Sequence, residues 1–215
     1  MQIIKMMLGS IATNCYILID DATKKAAVID PAECSAELLD VLKSNDISSV
    51  DYILLTHGHF DHILGVSKLK KIYKDAKVAI HSLDADCLFD PNKSMASTSE
   101  YANEIQEPLT ADIILNDNDE FNLGEIGIKV LHTPGHTKGS ICLICDDIII
   151  SGDTLFCKTV GRTDFEGGSM QDMLQSLKKL GNLKGDYAVY PGHNRETTLN
   201  EEREHNRYMR KMKWS

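Results

Sequence analysis

The chain has 215 residues, 42% of them hydrophobic and 26% charged, with only five prolines. This is the length and balance of one ordinary globular domain that folds without disulfide staples, and it excludes disordered and fibrous classes. A formal net charge of −9 argues against nonspecific binding to nucleic acid or an anionic membrane, and no stretch approaches the ~18 apolar residues of a membrane span.

From the N-terminus, Met1–Leu8 shows neither a sustained apolar core nor a small-residue cleavage site, so a cytoplasmic location is expected. Runs rich in Ile, Val, Leu and Tyr predict strands at Gln2–Met7, Cys15–Asp20, Ala26–Asp30, Tyr52–Thr56 and Val78–His81. Helical patterns fall between them at Ser35–Asn45 and Asp61–Lys74. The polar stretch Asp90 to Asp112 reads as a long loop, or a loop holding a short helix around Tyr101–Ile105, of the kind that lines or covers sites. Further strands follow at Ile126–His132, Ile141–Cys145, Ile148–Ser151 and Tyr187–Tyr190, with helices at Ser169–Leu180 and Leu199–Lys211. In the first of these helices Met170, Met173, Leu174 and Leu177 share one face. Strands and helices mixed in both halves predict a layered α/β protein. No repeat or linker divides residues 1–215, so one domain is expected.

Six cysteines, at 15, 34, 87, 142, 145 and 157, have no framework spacing. Cys142 and Cys145 lie three apart in a predicted strand and so point to opposite faces, unable to share one metal. All six are expected to be reduced and structural.

Chelating residues gather at strand ends. After the apolar run Tyr52–Leu55, the segment Thr56-His57-Gly58-His59-Phe60-Asp61-His62 places three imidazoles and a carboxylate within six residues. Gly58 is read as allowing a sharp backbone path on which His57 and His59 converge. Four such ligands cannot all serve one catalytic ion, which commonly keeps three protein ligands and a water. His136, Asp153 and His193 each follow an apolar strand beside a glycine, where a rigid sheet presents functional groups on loops. His132 is a candidate for orienting a ligand, His81 is read as structural and His205 as solvent-exposed.

The spacing H-x-H-x-D-H, followed by His136, Asp153 and His193, resembles the metallo-β-lactamase superfamily from Thr13-Asn14-Cys15-Tyr16 to Pro191-Gly192-His193. The resemblance implies a four-layer αββα sandwich. It assigns His57, His59 and His136 to a first metal and Asp61, His62 and His193 to a second, with Asp153 bridging. Two divalent ions (+4) against Asp61, Asp153 and a hydroxide (−3) would leave the inner shell near +1, suited to an anionic small-molecule substrate. Imidazole-rich donors favour zinc, with iron and manganese as alternatives to it and magnesium disfavoured.

Within the superfamily, Ser151-Gly-Asp-Thr-Leu-Phe156, Gly161-Arg162-Thr-Asp164, Gly167-Gly168 and Thr197-Thr198 are similar to small bacterial members of the glyoxalase II (hydroxyacylglutathione hydrolase) group. That similarity implies thioester hydrolysis. The chain lacks the C-terminal helical domain of full glyoxalase II and reads Asn194-Arg195 where the group often has an acidic residue and a tyrosine, so glutathione specificity does not follow. Arg162 either binds a substrate carboxylate bidentately or braces its loop through Asp164; Lys158 and Arg195 are further candidates for substrate binding. The expected mechanism is attack of a metal-bridging hydroxide on the acyl carbon, with Asp61 orienting it. Alternatives are a mononuclear iron persulfide dioxygenase, a lactone or other ester hydrolase on the same site, and a non-catalytic metal- or partner-binding domain, which the seven filled ligand positions argue against.

Overall fold

Side chains alternate along each strand, and in this chain both faces of most strands are apolar, so each sheet must be covered twice. The computed structural model describes residues 1–98 and 107–214. The chain begins with β1 (Gln2–Leu8), β2 (Thr13–Ile19), β3 (Lys25–Ile29), α1 (Ala36–Ser44) and β4 (Ser49–Leu54). It continues through α2 (Phe60–Ile63), α3 (Val66–Ile72), β5 (Lys77–His81), β6 (Ile113–Leu115), β7 (Glu120–Leu123) and β8 (Ile126–His132). Next come β9 (Ile141–Cys145), β10 (Ile148–Gly152) and a small hairpin of β11 (Leu155–Phe156) and β12 (Thr159–Val160). α4 (Met170–Gly181), β13 (Ala188–Pro191), β14 (Thr197–Thr198) and α5 (Leu199–His205) complete it.

Two six-stranded sheets result, ordered β1-β2-β3-β4-β5-β6 and β14-β13-β10-β9-β8-β7. The first is antiparallel from β1 to β3 and parallel from β3 to β6. In the second only β10 and β13 run parallel. From β2, Tyr16 and Leu18 enter the core between the sheets, where they join Val130, Ile141, Leu143 and Ile150 of the second sheet. Cys15, Ile17 and Ile19 point the other way, into a core closed by Leu38 and Leu42 of α1 and Val66 and Leu69 of α3. The outer face of the second sheet (Cys142, Ile149, Val189) is covered by Met173, Leu177 and Leu180 of α4 and Leu199 of α5. These layers are the αββα sandwich that the sequence resemblance implies. Cys142 and Cys145 lie in different cores as expected, and all six cysteines are free.

α1, α4 and α5 start where Ser35, Ser169 and Thr198 accept a hydrogen bond from the backbone N–H three residues on, each at 3.2 Å. Elsewhere tertiary contacts override the local pattern. The helix expected over Asp61–Lys74 is two, because Gly65 donates its N–H to the Pro31 carbonyl (2.8 Å) instead of to the carbonyl four residues back. The helix expected to reach Lys211 stops at His205. There Asn206 turns extended (ψ 125°) and its amide bonds the Thr159 carbonyl and the Glu202 carboxylate. On α4 the buried stripe is Met173, Ser176, Leu177 and Leu180, leaving Met170 and Leu174 more than a third exposed. β6 and β7 are edge strands that follow the expected loop region, too short to show in the sequence. The short helix expected around Tyr101–Ile105 lies outside the described residues. No described helix is long and apolar enough to cross a membrane.

Gly65 sits against backbone: a β-carbon there would lie 2.5 Å from the Pro31 carbonyl oxygen and 2.8 Å from the Cys34 nitrogen. Gly65→Ala should therefore destabilise the fold by about 1–3 kcal/mol, the usual cost of overpacking, read as a lowered denaturant midpoint at unchanged m-value.

Candidate metal centre

The donor residues come from four strand ends that meet at one edge of the sandwich. His57 and His59 leave β4; Asp61 and His62 lie in α2; His136 lies in the loop after β8; Asp153 and His193 follow β10 and β13. The two sheets are tied at this edge by the Ile141 N–H donating to the Thr56 carbonyl (2.8 Å). Gly58 does not lie in the left-handed region. Its requirement is space rather than a special turn, since a β-carbon would fall 2.5 Å from Cys87 Cβ.

All seven donors converge. Ligand atoms of His57, His59 and His136 lie within 4.8 Å of one another, as do those of Asp61, His62 and His193; His57, His62 and Asp153 form a third such group joining the two. His59 Nδ1 faces His136 Nε2 at 2.8 Å, and His193 Nε2 faces Asp61 Oδ2 at 3.2 Å. Asp153 stands between the halves, its oxygens 3.5 Å from both His62 Nε2 and His136 Nε2 and 3.7 Å from His193 Nε2. His57 Nε2, His62 Nε2 and Asp153 Oδ1 are buried polar atoms without a hydrogen-bond partner. Three such atoms aimed at one place are costly unless something bonds them, and two imidazoles with a carboxylate are donors a divalent metal accepts. The residues present fit such ions.

The outward nitrogens are held by groups that set each ring's tautomer. His62 Nδ1 donates to Asp30 Oδ2 (2.9 Å) and His136 Nδ1 to the Arg162 carbonyl (2.7 Å). His57 Nδ1 faces Thr56 Oγ1 (3.1 Å), whose own proton goes to Asp30 Oδ2 (2.6 Å). Thr13 Oγ1 donates to Asp61 Oδ2 (3.1 Å). Asp84 is buried across both donor loops, accepting from the Gly58 N–H (3.0 Å), the Gly139 N–H (2.8 Å) and Thr137 Oγ1 (2.7 Å). Asn14 Nδ2 and the Tyr16 hydroxyl both donate to the Pro191 carbonyl, anchoring the turn before His193.

Burial, reinforced by the neighbouring imidazoles, pushes His57 well below the ordinary histidine value and His59 to about 3, which leaves their lone pairs free. Burial would lower His62 too, but Asp61, Asp30 and Asp153 outweigh it and raise it to about 10. Burial likewise opposes ionisation of Asp61, yet His62 and His193 hold its carboxyl far below the usual range.

The remaining candidates are placed differently. His132 touches none of the donor rings; it stacks on His81 (4.1 Å) and bonds the Lys138 carbonyl in the His136 loop (2.8 Å). His81 is buried and His205 is exposed beside Glu201, as expected. Arg162 lines the cleft above the donors, where its guanidinium forks onto Asp164 (2.9 and 2.7 Å), so the bracing contact is present. Lys158 pairs with Glu201 (3.5 Å), and neither it nor the exposed Arg195 is among the residues lining the cleft. That cleft holds about 320 Å³. Asp30 and Asp84 carried no sequence signal, since each stands apart from any cluster of chelators and reaches the site only through tertiary contacts.

A model of the metallo-beta-lactamase superfamily matches residues 8–193. A probable metallo-hydrolase of Bacillus subtilis is 31% identical over 95% of this chain and 96% of its own length. The hydroxyacylglutathione hydrolase of Francisella tularensis subsp. novicida is 32% identical over 90% of this chain and 68% of its own. Among solved structures, the B3 metallo-beta-lactamase BLEG-1 is 32% identical with a TM-score of 0.89, covering 97% of this chain and 99% of that one. A protein solved in a di-iron-bound form is 30% identical with a TM-score of 0.82, covering 95% and 99%.

Two predictions concern the scaffold of the centre. In Asp84→Asn, either orientation of the amide turns its NH₂ toward a backbone N–H, so zinc titrated into chelator-treated protein should bind about 10–100-fold more weakly; unchanged affinity would remove Asp84 from this role. In the chelator-treated protein, His59 contributes stability above the ordinary histidine value of 6.5 that is lost as pH falls toward about 3. His62 contributes stability below 6.5 that is lost as pH rises toward about 10. Thermal midpoints should accordingly peak near pH 6.5, and His62→Ala should flatten the alkaline limb.

Proposed function

The chain belongs to the metallo-β-lactamase superfamily, and from that premise we propose that it is a dinuclear metal-dependent hydrolase of thioesters. The observation that carries the reading is the convergence of two three-residue donor sets on the orphaned atoms of His57, His62 and Asp153. The likeness to a hydroxyacylglutathione hydrolase supports the thioester, and the likeness to a protein solved with two irons supports a metal pair. His57, His59 and His136 would hold one ion and Asp61, His62 and His193 the other, with Asp153 between them. Zinc suits these donors, with iron or manganese as alternatives. The cores on both faces of both sheets support reading residues 1–215 as a single hydrolase domain.

Divalent ions so held would lower the pKa of a bound water to about 7 and polarise the scissile carbonyl. The chain's own groups do the rest. Asp61, fixed by Thr13, accepts a hydrogen bond from the attacking water and aims it at the acyl carbon. A carbon–oxygen bond forms, the carbon–sulfur bond breaks, and the thiolate leaves with the electron pair of that bond and takes the proton that the attacking water gives up. The rings of Phe156 and Phe165 stand edge-on to the imidazoles and form apolar walls of the cleft. No protein nucleophile is needed: Cys87, packed against Gly58, has its thiol pushed up to about 12 by burial and by Asp84, so it stays protonated.

The test is a hydrolysis screen of thioesters, lactones, β-lactams and phosphoesters on protein loaded with zinc, iron or manganese, read beside metal content. Two ions per chain with thioester turnover is expected, and His59→Ala should lose metal and activity together. One iron per chain with oxygen consumption, or β-lactams as the sole substrates, would overturn the reading.

A further inference from the structure

The walls of the cleft carry information about the acyl group. Ile11, Phe60, Met95, Phe156 and Phe165 line it around the donor atoms. Phe165 stands edge-on to His59 at 5.6 Å and to His136 at 6.3 Å, and Phe156 stands edge-on to His193 at 6.2 Å, so each half of the centre is flanked by an aromatic ring. The charged lining residues are Asp61, Asp153 and Arg162. Arg162 is engaged twice, forked onto Asp164 and stacked 3.9 Å above the Phe165 ring. Among the described residues that line the cleft, no lysine or arginine is left free for a substrate anion.

The charge balance points the same way. Asp30, Asp61 and Asp153 are all buried or nearly so, and together they set −3 against the +4 of two divalent ions. The single positive charge that remains is needed by the nucleophile, not by an anionic acyl chain. A hydroxyl carried between these walls would meet no oxygen or nitrogen on the five side chains, whereas a methylene would be removed from water against them.

Building on the thioester reading, we infer that the acyl group this site takes is apolar and of medium length, not a short hydroxyacyl. Each methylene buried against these walls should raise kcat/KM about fourfold, the equivalent of ~0.8 kcal/mol.

The experiment compares acetyl, butyryl, hexanoyl and lactoyl thioesters of one common thiol on the metal-loaded protein. Alongside it, calorimetry measures binding of free hexanoate and free lactate. The expected result is kcat/KM rising about fourfold per methylene to hexanoyl, lactoyl falling below butyryl, and hexanoate binding tighter with a negative heat-capacity change. Phe165→Ala should flatten the chain-length slope, and so should Ile11→Ser, whose side chain is exposed enough for the variant to fold. A lactoyl thioester turned over as well as butyryl, or a flat slope in the wild type, would overturn the inference. If no thioester is hydrolysed, the functional reading falls and the binding arm decides this one alone: hexanoate no tighter than lactate would sink it.

Discussion

Asp30 is a fully buried carboxylate whose two oxygens take three hydrogen bonds, from the Thr56 N–H, the Thr56 hydroxyl and His62 Nδ1. Burying a charge costs several kcal/mol unless it is fully satisfied, and satisfying this one requires the end of β3, the end of β4 and α2 to meet at fixed distances. The same contacts that make the carboxylate tolerable place His62 Nε2 inward and, through Thr56, turn His57 Nε2 inward beside it. Asp30 adopts a positive φ of 50°, a conformation that Asp accepts more readily than most residues. Strain, burial and charge are concentrated here for the sake of two donor atoms.

Asp84 does for the other half what Asp30 does for this one. It joins Gly58, between His57 and His59, to Thr137 and Gly139, which follow His136 directly. The geometry of the first triad is thus a property of one carboxylate accepting from two loops almost eighty residues apart in sequence. The donors themselves make few direct bonds to one another, so their positions are inherited from these two acids and from the anchoring of the His193 turn by Asn14 and Tyr16. Removing either acid leaves uncompensated buried N–H groups as well as misplaced ligands.

This division explains what the sequence could and could not reveal. The convergence of the seven residues was legible because chelators are rare together in His57–His62 and because His136, Asp153 and His193 each follow an apolar strand beside a glycine. The layering was legible from the mixture of strands and helices in both halves and from the family resemblance. Asp30 and Asp84 were not, since an isolated aspartate after a strand or in a turn is an ordinary surface residue until the fold brings its partners from 26 to 55 positions away. The break at Gly65 and the early end of α5 have the same origin: the periodicity of each helix is intact, but the Pro31 carbonyl and the Thr159 carbonyl compete for backbone or side-chain donors. Gly58 shows the limit in another form, because the need for glycine was visible while its cause, the packing of Cys87, was not.

The missed acids also alter the electrostatics that the visible donors imply. Counting only Asp61 and Asp153, a centre loaded with two divalent ions would carry a surplus of positive charge suited to an anionic substrate. Counting Asp30 as well, that surplus would be one unit smaller, and His62 sits within reach of three carboxylates, which is why its proton affinity rises. A ligand so polarised by Asp30 would donate more electron density to a bound metal. Selectivity would then pass from charge to shape and surface, to the aromatic and aliphatic side chains around these residues. Arg162, the one lysine or arginine among the described residues of that wall, is paired with Asp164 and stacked on Phe165. On the proposed reading the buried acids would not only position the chemistry; by offsetting the charge of bound ions, they would leave the choice of substrate to the apolar walls.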